Sequence, residues 1–285
     1  MTAAIWSRSL SRLPVLLAVG CVSFDPLLYN PEKVDQYSLS GDVIPGGAVE
    51  QVTFPSEDLT LYGAWARQPE PAQVVVFFHG NDGNIDTHWG RVEQYWAWGY
   101  DVLAFDYRGY GRSEGEPDLA GLEADGLAAV RYAAEMRGEN TGDLVSIGLS
   151  LGGAVAIRTA RSEPPLALIT EDTFANLDFL LDDSAAGLDL ADGWFFNEDW
   201  DNVQALTQVI GVPTMIVHAR NDTYIPVENA DLLYAAAPDP RDLWRVPGAD
   251  HAESNSAAPA EYQARLTGWV EMASSQPEGD TGERR

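Results

Sequence analysis

The chain has one lysine, Lys33, one cysteine, Cys21, and four histidines. Each scarcity excludes something. A lone cysteine cannot close an intramolecular disulfide, so stability outside a reducing compartment must come from packing. Lysine and arginine number 17 against 44 aspartates and glutamates, a formal net charge of −27. Such a surface repels phosphate backbones and anionic membranes, which argues against a nucleic-acid partner. The acidity itself reads as a solvated surface and says little about the substrate. None of the histidines has metal-ligand spacing, and neither a metal nor a cofactor is expected. Long apolar runs are also missing: the stretch near the start, Leu13 to Val19, is too short to span a bilayer.

What is present is enough for a full core. The 285 residues are 45% hydrophobic and 10% aromatic, the range in which α/β chains fold as one domain. No internal repeat is visible. From Phe24 to Pro45 the sequence is polar and broken by Pro26, Pro31, Gly41 and Pro45, which suits a tether or a strapping segment. Val52 and Phe54, then Leu59, Leu61, Gly63 and Trp65, alternate around a turn at Pro55 to Asp58, as in an antiparallel ribbon. The continuous run Val74 to Phe78 reads as a strand buried on both faces. A helix over Ile85 to Trp98, a strand over Tyr100 to Phe105 and a helix from about Leu119 to Arg137 follow. Further strands are predicted at Leu144 to Ile147, Leu166 to Thr170, Thr214 to His218 and Leu243 to Val246, and helices at Glu228 to Ala237 and Pro259 to Met272. This alternation predicts βαβ units on a parallel sheet. The folded region is bounded at 46–273, with a polar tail over 274–285.

The stretch that organises the rest is Gly148, Leu149, Ser150, Leu151, Gly152, a G-x-S-x-G sequence between an apolar strand and a helix start. A serine on so sharp a turn is forced toward positive φ, and the flanking glycines supply the room. The turn lifts the hydroxyl above the sheet and aims the first N–H groups of the following helix at whatever binds there. A serine presented in this way is a candidate nucleophile and needs a base and an acid elsewhere in the chain.

Three loops at strand ends, taken in order, resemble those of the α/β-hydrolase superfamily: His79, Gly80, Asn81 with Gly83 and Asn84; Asp106 to Gly115; and Gly148 to Gly152. The resemblance covers roughly Val52 to Met272. The H-G-N-x-G-N form is similar to a small-lid branch that includes esterases and protein depalmitoylases. It implies an α/β-hydrolase fold, a mostly parallel twisted sheet with helices on both faces, and a lid insertion at about 173–211. That insertion is rich in Phe174, Phe179, Leu180, Leu181, Trp194, Phe195, Phe196 and Trp200, which either line an acyl pocket or pack the lid onto the body. The family order of serine, acid and histidine implies Ser150 as nucleophile, Asp222 as acid and His251 as base. Asp172, after the neighbouring strand, is the rival acid. The oxyanion donors implied are the backbone N–H groups of Leu151 and Asn81. His79 is read as shaping its loop, His218 as packing at a strand end and His88 as a helix-surface residue; Asp106, Arg108, Gly109 and Gly111 are read as structural.

The expected activity is hydrolysis of a carboxylic ester or thioester on a small-molecule or acylated substrate. A serine peptidase or amidase on the same triad, or a non-catalytic surface-anchored binding protein on a hydrolase fold, is the alternative. The N-terminus adds a second resemblance: Arg8 and Arg12, the short apolar stretch and Gly20 before Cys21 are similar to a bacterial lipoprotein signal. Ala18 stands where such signals more often have leucine, and Pro14 interrupts the run. The resemblance implies a signal peptide over 1–20, Cys21 as the lipidated first residue, a tether over 21–45 and membrane anchoring in the cell envelope. An ordinary secretory peptide, leaving a soluble secreted or periplasmic protein, or a cytosolic chain with an irregular start, is the alternative.

Overall fold

The computed structural model describes residues 29–39, 43–45, 48–177 and 199–276. The expected signal with Cys21, lid residues 178–198 with Phe179, Trp194, Phe195 and Phe196, and the tail beyond 276 lie outside the described residues.

In chain order the elements are β1 (Asn30–Pro31), β2 (Val49–Ser56), β3 (Leu59–Ala66), β4 (Val74–Phe78), β5 (Asp82–Gly83), α1 (Trp89–Ala97), β6 (Asp101–Phe105), α2 (Leu119–Arg137), β7 (Val145–Leu149), α3 (Leu151–Ser162), β8 (Ala167–Glu171), α4 (Asn202–Thr207), β9 (Thr214–Ala219), α5 (Glu228–Ala236), β10 (Arg241–Val246), α6 (Ser254–Ala257) and α7 (Pro259–Ser274). Eight strands form one sheet in the order β10-β9-β8-β7-β4-β6-β3-β2. The strands from β10 across to β6 run parallel, while β3 and β2 close the other side as an antiparallel ribbon.

Alternation along the strands divides the core into two layers. Val74, Val76 and Phe78 of β4 pack with Leu122 and Ala129 of α2 and Val155 of α3, whereas Val75 and Phe77 pack with Val92 and Tyr95 of α1 and Tyr262 and Leu266 of α7. All five β4 side chains are buried, and each contributes about 2 kcal/mol by leaving water. From β4 the chain first builds outward to β6, then crosses back so that β7 lies on the other side of β4. Such a switch point leaves a crevice at the carboxyl ends of the strands, where α/β sheets bind ligands.

Three local expectations are corrected. The helix predicted from Ile85 begins only at Trp89. Asn84 Oδ1 accepts from the Asp86 N–H at 2.8 Å and Thr87 Oγ1 accepts from the Asn84 N–H at 3.1 Å, so side chains take the donors a helix would have used. Pro55 lies inside β2 rather than in the turn, which is only Glu57 and Asp58; β2 is the outermost strand, where a missing N–H breaks no ladder. The last strand starts at Arg241, earlier than Leu243. Of the aromatics expected around the lid, Phe174 and Trp200 are buried against each other at 6.0 Å with the Arg158 guanidinium 4.9 Å over Trp200, and so serve packing.

The segment before β2 is a strap. Asn30 and Pro31 pair with Asp82 and Gly83. Glu32 N–H donates to Gly83 O at 3.0 Å and its carbonyl accepts from Gly111 N–H at 3.0 Å, so one residue ties the loop after β4 to the loop after β6. Tyr37 OH then donates to the buried carboxylate of Asp106, and Lys33 Nζ donates to Ser113 O.

Candidate active site

The carboxyl ends of β7, β8, β9 and β10 carry Ser150, Asp172, Asp222 and His251 in turn, on four adjacent parallel strands. Ser150 has φ 53 and ψ −116, a conformation that costs a non-glycine residue of the order of 1–3 kcal/mol and persists only where its surroundings enforce it. The Ser150 N–H donates to Glu171 O at 2.8 Å, which holds the turn from the β8 side. From the β4 side the elbow is pressed home: a Cβ on Gly152 would lie 2.1 Å from Phe78 O and 2.4 Å from His79 O, and one on Gly148 only 2.4 Å from Gly152 O. Both glycines are therefore required by backbone contact, and the same contact brings the start of α3 against the His79 loop. Leu151 is the first residue of α3, and its N–H has no acceptor within the helix.

His251 Nδ1 donates to Asp222 Oδ2 at 2.7 Å. The other oxygen of Asp222 accepts from the N–H groups of Tyr224 at 2.8 Å and Ile225 at 2.7 Å, which fixes the carboxylate plane. His218 donates from Nε2 to Ile225 O at 2.9 Å and lies 3.5 Å from Asp222 Oδ2, supporting the acid loop from beneath. Burial lowers the pKa of His218 and keeps it neutral. For His251, burial also acts to lower the pKa, but the hydrogen bond and charge of Asp222, with Asp172 and Glu171 behind, outweigh it and hold the imidazole above its ordinary value. With Nδ1 donating, the neutral ring carries its lone pair on Nε2, the atom that can take a proton.

Asp172, the rival acid, is otherwise engaged. Its Oδ1 accepts from Ala219 N–H at 2.6 Å and its Oδ2 from Ala252 N–H at 2.8 Å, so it binds the feet of the acid loop and the base loop rather than the imidazole. Burial, with the neighbouring Glu171 charge, pushes its carboxyl up to about 7. Asp172, Asp222 and His251 are the group of ligating side chains found within 4.8 Å of one another among the described residues. Each already has a protein partner, which leaves them poorly suited to a cation.

The loop after β4 is held from several sides. Tyr107 OH donates to His79 O at 3.0 Å, and Asn81 Oδ1 accepts from Tyr110 OH at 2.7 Å and from the strap's Asn30 N–H at 3.0 Å. His88 corrects its expected place on a helix surface. It stands just before α1 and turns inward, its Nε2 accepting the Gly80 N–H at 3.0 Å. Burial, then the neighbouring His79 and Arg91, lower its pKa well below the ordinary value, as an acceptor nitrogen requires. Asp106 accepts from Ile85 N–H at 2.8 Å, and a Cβ on Gly111 would overlap its carboxylate, so this loop supports the site from below.

Sequence reasoning missed Arg91, Glu171 and Tyr262. Arg91 donates to both oxygens of Glu171 at 2.7 and 2.9 Å, and Tyr262 OH donates to Glu171 Oε2 at 2.8 Å, all buried behind His251. The one available signal was a cation among Trp89, Val92 and Tyr95 on the apolar face of α1. No helix among the described residues is long and apolar enough to cross a membrane.

Residues 69–170 match the family model described as serine aminopeptidase, S33. The chain is 29% identical over 258 residues to the Escherichia coli (strain K12) protein YfhR, covering 86% of this chain and 89% of that one. It is 30% identical over 192 residues to the lysophosphatidylserine lipase ABHD12 of Danio rerio, covering 60% of this chain and 48% of that one. Among solved structures, the Pyrococcus furiosus esterase Pf2001 superposes with a TM-score of 0.70 at 21% identity, over 86% of this chain and 97% of that one. The strand order, the elbow at the β4–β7 switch and these similarities agree, and the chain has an α/β-hydrolase fold.

Proposed function

We propose that the protein is a serine hydrolase that cleaves a carboxylic ester or thioester through an acyl-enzyme. Ser150 Oγ attacks the acyl carbon as His251 Nε2 takes its proton, the N–H groups of Leu151 and Asn81 stabilise the oxyanion, and the imidazolium returns the proton to the leaving group. Water then repeats the sequence on the acyl-Ser150 bond and releases the acid. Asp222 holds the ring and stabilises its charge. The observation that carries this reading is the 2.7 Å bond from His251 Nδ1 to Asp222, two strands from a serine held at φ 53. The esterase and lipase relatives support an ester substrate, while the match to a model described as serine aminopeptidase favours an amide.

A p-nitrophenyl ester series from acetate to palmitate, run beside matching p-nitroanilides, separates these. Hydrolysis of esters that vanishes in Ser150→Ala and His251→Ala is expected; turnover of anilides alone moves the assignment to an amidase. A folded protein that turns over neither and does not label with a fluorophosphonate sinks the catalytic reading.

Cys21 is proposed as a lipid anchor on its sequence context. Asn30 is paired to the loop after β4, so the short stretch between it and Cys21 would keep that loop within about 30 Å of a bilayer. Membrane partitioning unchanged in Cys21→Ala would refute the anchor.

A further inference from the structure

The His251 loop is gripped at the next residue. Ala252 has φ 61, a left-handed conformation that an alanine adopts only under constraint. Both of its backbone polar groups are held by buried side chains: the N–H donates to Asp172 Oδ2 at 2.8 Å and the C=O accepts from Arg91 Nη2 at 2.6 Å. Arg91 is itself fixed by its two-pronged bond to Glu171. The backbone carbonyl of that same Glu171 holds the Ser150 N–H at 2.8 Å, and Asp172 also holds Ala219 at the root of the acid loop. The dipeptide Glu171–Asp172 thus connects the nucleophile, the acid loop and the base loop.

We propose that Arg91 is a positioning residue for the base: braced on Glu171, it acts with Asp172 to clamp Ala252 and so sets where the His251 imidazole stands relative to Ser150. This rests on the triad reading above. A guanidinium suits the task because its planar fork reaches a carboxylate and a carbonyl at once, which a lysine ammonium cannot do in the same geometry. Arg91 and Glu171 touch no reacting atom; their effect passes through the peptide of Ala252. Displacing a catalytic group by an ångström lowers turnover by roughly 100-fold while leaving substrate binding intact.

The test compares the wild type with Arg91→Lys and with the double variant Arg91→Met, Glu171→Gln, which removes the ion pair without leaving a buried charge unpaired. Active sites are counted by exhaustive fluorophosphonate labelling, and kcat per labelled site and KM are measured on p-nitrophenyl butyrate. The expected result is a kcat per site lower by roughly 10- to 100-fold in the double variant, with KM nearly unchanged and a smaller loss in Arg91→Lys. Fewer labelled sites with an unchanged rate per site would reduce the ion pair to a folding role and overturn the proposal. A rise in KM that accounts for the whole loss would overturn it too. Should the double variant not fold, Arg91→Lys decides alone: an unchanged kcat per site refutes the clamp. A wild type that neither labels nor hydrolyses the ester defeats the triad reading instead, and is told apart because it needs no variant.

Discussion

Adding one methyl group at Gly152 tests whether the elbow and the loop after β4 are held together by direct backbone contact. The new Cβ would lie 2.1 Å from Phe78 O, 2.4 Å from His79 O and 2.5 Å from Phe78 C, where ordinary contact begins at 3.4 Å. None of these atoms belongs to a side chain that can rotate away, so the start of α3 must retreat by roughly an ångström. Overpacking of this kind costs about 1–3 kcal/mol, and the better helix propensity of alanine returns at most about 1 of it. The catalytic effect should be larger than the stability effect, because the retreat moves Ser150 and Leu151 away from Asn81 together. A fall of about 100-fold in kcat/KM is expected for Gly152→Ala, with a folded protein by thermal melt. Gly268→Ala is the control: it lies on the exposed side of α7 with nothing within 4 Å of its Cβ position. That substitution should leave activity unchanged and stabilise by up to about 1 kcal/mol. Wild-type kcat/KM and melting temperature in Gly152→Ala would refute the contact argument.

The remaining predictions concern charge. Because Asp222 and the carboxylates behind it raise the His251 pKa, and only neutral His251 is a base, the acid limb of kcat/KM against pH should have its midpoint above the ordinary imidazole value of about 6.5. A midpoint at or below that value contradicts the assignment. Asp222→Asn should lower kcat by about 10,000-fold by favouring the wrong tautomer, with little change in the melt. Asp172 has a folded pKa raised from 3.8 to about 7, so its contribution to stability is complete below pH 3.8 and is lost as pH rises to about 7. Asp172→Asn should therefore be least unfavourable, relative to wild type, above pH 7; urea melts at pH 5 and 8 that show the opposite order would refute this. Tyr37→Phe removes a donor from buried Asp106 and should cost about 1–3 kcal/mol, read as a lower melting temperature.

Local chemistry was readable because it is written in neighbouring residues. The apolar run Val74 to Phe78 and the alternation of β2 and β3 come from spacing alone, and the glycines around Ser150 announce a turn too tight for any side chain. The start of α1 was misread because Asn84 and Thr87 compete for the same backbone donors, a balance that periodicity does not weigh. The inward turn of His88 is hidden from helical periodicity because its partner, the Gly80 N–H, sits in the preceding loop and not on the helix.

The sequence by itself determined the alternating α/β architecture, the serine elbow and the short roster of acids and histidines at strand ends, since these follow from periodicity, turn chemistry and chain order. Only the tertiary structure distinguishes the surroundings of the two candidate acids: Asp222 meets the imidazole, while both oxygens of Asp172 are taken by backbone N–H groups. It alone showed Arg91 reaching Glu171 and Ala252, residues 80 and 161 positions away along the chain. Contacts of that separation depend on which strands become neighbours, and that order is set by the packing of the whole sheet.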